Sequence, residues 1–245
     1  MTTDSPEFNP QLNQTRWVAY FDLLGVRSLV NSGNLSQVFF AYAAAQKEAQ
    51  SKKFHQVSTF WFSDSFVFYT GESSASHFWA LECVTRWFCY FLVLRQIPVR
   101  GAISSGAMYA DAAHNLFFGP SLIEAYDYGE AQNWIGFILT PSAVGRLEDL
   151  RLPPDERLNY AYWQIPFKAL AANERRHPAY ERRLPACLFA GATASTSRDF
   201  CLAKLASMKA NAGERFAAKY DNTMDFLSRN LRCVTEKELT KVKRS

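Results

Sequence analysis

Apolar residues fall into short alternating runs and longer helical ones, and the order of these runs predicts most of the elements. Residues 16–22 (RWVAYFD) are aromatic and β-branched, are bounded by Gly25, and predict a first strand that ends in a carboxylate. Residues 35–52 carry Val38, Phe39, Tyr42 and Ala45 at helical spacing. Two runs, 57–62 and 65–70, flank Ser63-Asp64 and close at Gly71, the pattern of a tight hairpin. Asn-Gly or Asp-Gly would form that turn more readily, which leaves room for another demand on Asp64. A long helix over 75–96 stops before Pro98, and 99–109 continues as a strand punctuated by Gly101 and Gly106. Gly119-Pro120 opens a further helix through Gln132, 134–139 reads as a strand and 141–150 as a short helix. Beyond them, 160–167 and 188–192 are candidate strands, 175–183 is a charged excursion, and 198–230 has a helical pattern.

The fold class is α/β, of the α+β kind: a ferredoxin-like β-α-β-β-α-β core with additional helices and strands at its C-terminal side. One domain over 15–234 is expected, with a flexible arm over 1–14 and a flexible basic tail over 235–245. A chain of 245 residues can bury a core without disulfides or a structural metal. The net charge of +4 and the absence of a basic block outside the tail argue against a nucleic-acid partner. Five cysteines, with no Cys-x-x-Cys pair and no His at zinc spacing, read as reduced thiols. The polar, acidic start of the chain does not resemble an export signal, so a cytoplasmic protein is expected. The most apolar stretch, 78–97, is broken by Glu82, Arg86 and Arg95 and falls short of the ~20 residues of a membrane span.

The predicted topology has chemical consequences. Right-handed crossovers set the third strand on one side of the first and the fourth on its other side, both antiparallel to it. The end of strand one (Asp22), the hairpin turn (Asp64) and the start of strand four (Arg100) then meet at one edge of the sheet. Two neighbouring carboxylates repel, and a hard divalent ion such as Mg²⁺ or Mn²⁺ removes the conflict while holding phosphate oxygens of a nucleotide. An arginine beside it offers a fork of donors to those phosphates. A reading without a ligand also accounts for these residues: Asp22 caps the next helix, Asp64 serves the turn, and Arg100 pairs with one of them.

The segments Phe21-Asp22-Leu23-Leu24-Gly25, Phe62-Ser63-Asp64-Ser65 and Val99-Arg100-Gly101-Ala102-Ile103 resemble, in order, the two metal-binding blocks and the following strand of class III nucleotidyl cyclases. With Gly119-Pro120-Ser121-Leu122-Ile123-Glu124-Ala125-Tyr126 the resemblance extends to the bacterial pyrimidine cyclases of Pycsar anti-phage systems, and covers about 16–139. It implies that Asp22 and Asp64 hold two divalent ions, Mn²⁺ or Mg²⁺, with the backbone carbonyl of Leu23 as a further ligand, and that Arg100 binds the triphosphate. The implied reaction is attack of the ribose 3′-oxygen on the α-phosphorus, giving a 3′,5′-cyclic nucleotide and diphosphate. No protein nucleophile is needed, so His55, His77, His114 and His177 are given no catalytic role.

Departures from the family pattern bear on the base. Purine cyclases carry a Lys where this chain has Phe60 and an Asp where it has Leu116, so a pyrimidine is favoured, UTP first and CTP second. Phe60, Arg100, Leu116 and Tyr128 are the expected substrate-binding positions. The family's Asn-x-x-x-Arg is missing from the helix after Gly119, which shows Glu124, Tyr126, Tyr128 and Glu130 instead, while Lys168 and Arg27 are other candidate phosphate cations. These departures keep two alternatives open, a purine cyclase and a catalytically silent nucleotide-binding regulatory domain. Apolar side chains on both faces of the hairpin require a covered second face, supplied by residues 160–167 or by another subunit. The resemblance implies a homodimer with sites at its interface and a separate effector protein that reads the cyclic nucleotide.

Overall fold

In the computed structural model, residues 7–31, 33–50, 55–155, 159–168, 183–189 and 195–230 are described. Strand β1 (Asn13–Leu23) is followed by helices α1 (Val26–Asn31) and α2 (Leu35–Ala49), the hairpin β2 (Val57–Phe62) and β3 (Ser65–Thr70), helix α3 (Ala75–Leu94) and strand β4 (Val99–Asp111). Then come β5 (Leu116–Phe118), α4 (Pro120–Ala131), β6 (Gly136–Leu139), α5 (Pro141–Asp149), β7 (Tyr160–Gln164), β8 (Arg183–Cys187), α6 (Ser195–Ala212) and α7 (Glu214–Asn230). The strands form one sheet in the order β2-β3-β1-β4-β6-β8-β7, with β5 folded back on the end of β4.

The ferredoxin-like expectation holds at the centre, where β3 and β4 flank β1 and both run antiparallel to it. From Arg16 onward β1 is buried on both faces, which is why its pattern is a continuous apolar run and not an alternation. One face carries Trp17, Ala19, Phe21, Phe66 and Phe68, packed under α3; Phe21 and Phe68 lie edge-to-face, and both rings meet Phe88. The other face carries Val18, Tyr20, Val67 and Tyr69 under α4. The second face of the hairpin is closed by Phe117 of β5, stacked on Phe60 with centroids 3.9 Å apart. This corrects the choice of residues 160–167 as its internal cover, because β7 lies at the far end of the sheet.

Other differences from the sequence reading are local. β1 begins at Asn13, after a short 3₁₀ turn (Pro10–Leu12), inside the stretch read as an arm. Helix α1 and strand β5 carry too few residues for a periodicity to register. The last strand of the sheet in chain order is Arg183–Cys187, not 188–192: its leading arginine and Pro185 mask it, while Leu188 has already left the ladder. Residues 190–192 lie outside the described residues, as do 175–182 of the charged excursion, His177 and the tail over 235–245. The helical pattern over 198–230 is two helices, broken at Gly213, whose φ of 74° only glycine adopts without strain. No helix among the described residues is long and apolar enough to cross a membrane, and among the described residues Cys83, Cys89, Cys187 and Cys201 form no disulfide.

The closeness of β1 to β4 depends on Gly101. A Cβ there would stand 2.5 Å from the Tyr20 carbonyl oxygen and 2.6 Å from the Phe21 ring. Gly101→Ala is therefore expected to cost about 2 kcal/mol or more in chemical denaturation. Gly145→Ala, in α5 with no heavy atom within 4 Å of the added carbon, should stay within about 1 kcal/mol of the wild type.

Candidate functional site

Antiparallel pairing fixes the site. Asp22 faces Arg100 across the β1/β4 ladder and Ser65 across the β1/β3 ladder, so Asp64 at the hairpin turn is one residue from the partner of Asp22. The turn is held to the sheet by the Leu23 amide, which donates to the Asp64 carbonyl at 3.0 Å. From the other side the Tyr42 hydroxyl of α2 donates to the carbonyl of Ser63, a residue in the left-handed region at φ 55°. Asp22, Asp64 and Arg100 are thus brought together as the topology predicts.

Arg100 is 5% exposed, and its guanidinium makes five hydrogen bonds to four acceptor oxygens. Nε and Nη2 donate to Asp22 Oδ2 at 3.1 and 2.8 Å, and Nη2 also reaches Glu130 Oε2 at 2.5 Å. Nη1 donates to the main-chain oxygens of Glu130 at 2.9 Å and Gln132 at 3.3 Å, closing the C-terminal end of α4. The pairing alternative describes the geometry of Arg100, extended to a second carboxylate that spacing did not single out.

That second carboxylate, Glu130, is the residue the sequence reading left without a role at the site. It also faces the Tyr20 hydroxyl at 3.4 Å through Oε1 and Lys168 Nζ at 3.6 Å through Oε2. Its one sequence signal was an acid in the last turn of a helix whose buried face is Ser121, Ala125, Tyr128 and Gly129. The same face corrects the assignment of Tyr128 to substrate. Its ring is 8% exposed, sits in the main core and lies edge-on to Phe167, whereas Tyr126 is half-exposed and meets the Tyr20 ring. Phe60 stacks on Phe117, and Leu116, 37% exposed, opposes Asp111 at the other end of β4 from Arg100. Leu23 buries its side chain in the core, so only its backbone faces the site. The Arg27 side chain lies outside the described residues.

Electrostatics follow from this crowding. Burial, Glu130 and Asp64 push the Asp22 carboxyl up to about 7, against the opposing pull of Arg100. Burial also raises the Tyr20 hydroxyl and, with Arg100 beside it, lowers the Lys168 ammonium. Among the described residues no cluster of three or more His, Cys, Asp or Glu side chains could hold a metal ion by itself. Two carboxylates and a main-chain oxygen suit an Mg²⁺-type ion, which is commonly held by one or two protein carboxylates and takes its other ligands from water and substrate phosphates. Asp22 commits Oδ2 to Arg100, and an added cation would relieve the charge that raises its carboxyl.

Among solved structures, the chain is similar to an adenylate cyclase from Trypanosoma brucei in its monomeric state, with a TM-score of 0.52 and 11% identity over 77% of this chain and 94% of that one. A second T. brucei adenylate cyclase structure gives a TM-score of 0.47 at 10% identity over 74% and 97% of the two chains. The guanylyl cyclase Cya2 gives 0.44 at 13% identity over 71% and 89%. No protein-family model matches the chain, and no curated protein matches it. The first of these likenesses bears on the fold: the sheet and its helices have the nucleotidyl-cyclase arrangement.

Two outcomes follow for the site. Arg100→Ala leaves Asp22 and Glu130 facing each other without their cation and should cost about 3 kcal/mol or more, measured by denaturant unfolding. The Asp22 carboxyl keeps its proton more readily in the fold than in the unfolded chain. Its contribution is therefore full below the ordinary carboxylate range and is lost as pH rises through about 7. Without divalent ions, melting temperature should fall over that window, and Asp22→Asn should flatten the fall.

Proposed function

We propose that this chain is a metal-dependent nucleotidyl cyclase that converts a nucleoside triphosphate to a 3′,5′-cyclic nucleotide and diphosphate. The observation that carries the reading is the meeting of Asp22 and Asp64 at one sheet edge within a cyclase-type fold. In this reading Asp22, Asp64 and the Leu23 carbonyl hold two Mg²⁺ or Mn²⁺ ions. When bound, such ions acidify the ribose 3′-hydroxyl and offset charge on the departing diphosphate. The protein's own part is positional. Arg100 fixes the Asp22 carboxylate, and the hairpin carries Asp64 to it.

The substrate is a pyrimidine nucleotide, UTP before CTP, and the product a second messenger for an anti-phage effector. Support for the base comes from Phe60 and Leu116, which replace the charges that purine cyclases present, and from Phe117, which occupies one face of the Phe60 ring. Support for a homodimer comes from Ile123 and Tyr126 of α4, 60% and 50% exposed. A second reading, a regulatory domain that binds nucleotide without turnover, draws on the full commitment of Arg100 to protein acceptors.

Incubating the protein with UTP, CTP, ATP and GTP in turn, with Mn²⁺, and chromatographing the products tests all of this. Cyclic UMP is expected; nucleotide binding without any cyclic product would transfer the case to the regulatory reading. Asp64→Asn should lower turnover about a hundredfold or more, the scale of removing one preorganised charge-stabilising group, with little change in melting temperature. Unaltered turnover in that variant would remove Asp64 from the metal site.

A further inference from the structure

Helix α3 is apolar around its whole circumference. Of its 20 residues only Glu82 and Arg86 carry a fixed charge, and these pair with each other at 2.7 Å. One side packs on the aromatic layer of the sheet through Phe78, Leu81, Phe88 and Leu92. The outer side carries Trp79, Cys83, Trp87 and Phe91, which are spaced four residues apart and so form one stripe. Trp79, Trp87 and Phe91 are each at least 36% exposed, and Trp87 stacks on Phe91 at 5.5 Å with Tyr90 edge-on to it at 5.7 Å. A helix apolar on all sides is one whose outer face is covered in use, and a contiguous exposed aromatic stripe marks an interaction surface.

Cations border the stripe. Arg95, exposed at the C-terminal end of α3, holds its guanidinium 4.7 Å from the Phe40 ring centroid. Helix α6 packs against α3, and there the Ser207 hydroxyl donates to the Gln96 side chain at 3.4 Å. Phe200, Lys204 and Ser207 share that edge of α6 by their spacing; Phe200 is exposed, and the Lys204 ammonium lies 5.6 Å from its ring centroid. Among the described residues neither Arg95 nor Lys204 has a carboxylate within ion-pair distance. The only acids of the two helices are committed, Glu82 to Arg86 and Asp199 to Arg198 at 3.1 Å. Aromatic rings bordered by cations match the headgroup level of a bilayer, where tryptophan and tyrosine sit between hydrocarbon and water and anionic lipids attract each nearby cation. A second copy of the chain fits less well, because a two-fold contact gathers the cations of both copies at one interface with no acid to meet them.

We propose that the α3/α6 face is a peripheral docking surface for an anionic bilayer, with Trp79, Trp87 and Phe91 entering the headgroup region and Arg95 and Lys204 meeting lipid phosphates. This surface is independent of the cyclase reading. The full chain is mixed with vesicles of equimolar phosphatidylcholine and phosphatidylglycerol, or of phosphatidylcholine alone. Binding is read by flotation together with the blue shift of tryptophan emission. The wild type should float with the mixed vesicles and shift its emission, and bind the neutral ones more weakly. Trp87→Ala should bind the mixed vesicles about tenfold more weakly, the scale of withdrawing one large apolar side chain. Lys204→Ala and Arg95→Ala, changes outside the core, should each lose about fivefold, the scale of one cation near an anionic surface. Phe8→Ala, which removes an exposed ring stacked on Tyr109 of β4, should bind as the wild type does. Failure of the wild type to float with the mixed vesicles overturns the inference, as does an equal loss in Phe8→Ala and Trp87→Ala. A chromatographic mass that drops from dimer to monomer in Trp87→Ala, with no vesicle binding by the wild type, would assign the face to a second copy instead.

Discussion

A single buried guanidinium organises the site. Arg100 joins a carboxylate of the first strand to a carboxylate of α4 and takes the last carbonyls of that helix on its remaining nitrogen. Burying such a charge is tolerable only because every N–H has an acceptor. Once that condition is met, the end of α4, the rim of the sheet and the orientation of Asp22 are no longer independent. Gln132 extends the tie, donating to the Gly101 and Tyr128 carbonyls while accepting from the Trp134 indole. The path from helix to next strand is thus fixed by side chains, with little left to the loop.

The sheet supports this arrangement by being covered on both faces. α3 lies over the aromatic layer built on Phe21, and α4 lies over Tyr20 and its neighbours. Side chains from the middle of the central strands have no access to water. Asp22 and Arg100, both largely buried, stand near the ends of adjacent antiparallel strands, beside the hairpin turn that carries Asp64.

Much of this was legible in the sequence, for a definite reason. The order of strands and helices determines which strand ends share an edge, and Asp22, Asp64 and Arg100 all stand within a residue or two of an element boundary marked by Gly25, Ser63 or Pro98. Residues inside elements were harder to place. Tyr128 and Tyr126 are two apart on one helix, and only the packing of α4 decides that the first is core and the second surface. Glu130 owes its importance to an arginine thirty residues earlier, which no local pattern encodes. β8 was displaced by a few residues because a leading charge and a proline look like loop, and α7 gave a helical pattern with nothing to indicate what it would dock on.

The two aspartates are mounted differently. Asp22 stands within a strand and is gripped by a guanidinium, whereas Asp64 rides on a two-residue turn whose tethers are a backbone amide and a phenol from α2. The position of Asp22 is therefore set by a side-chain ion pair as well as by its ladder, and that of Asp64 by contacts to the main chain of its turn, one of them made from α2.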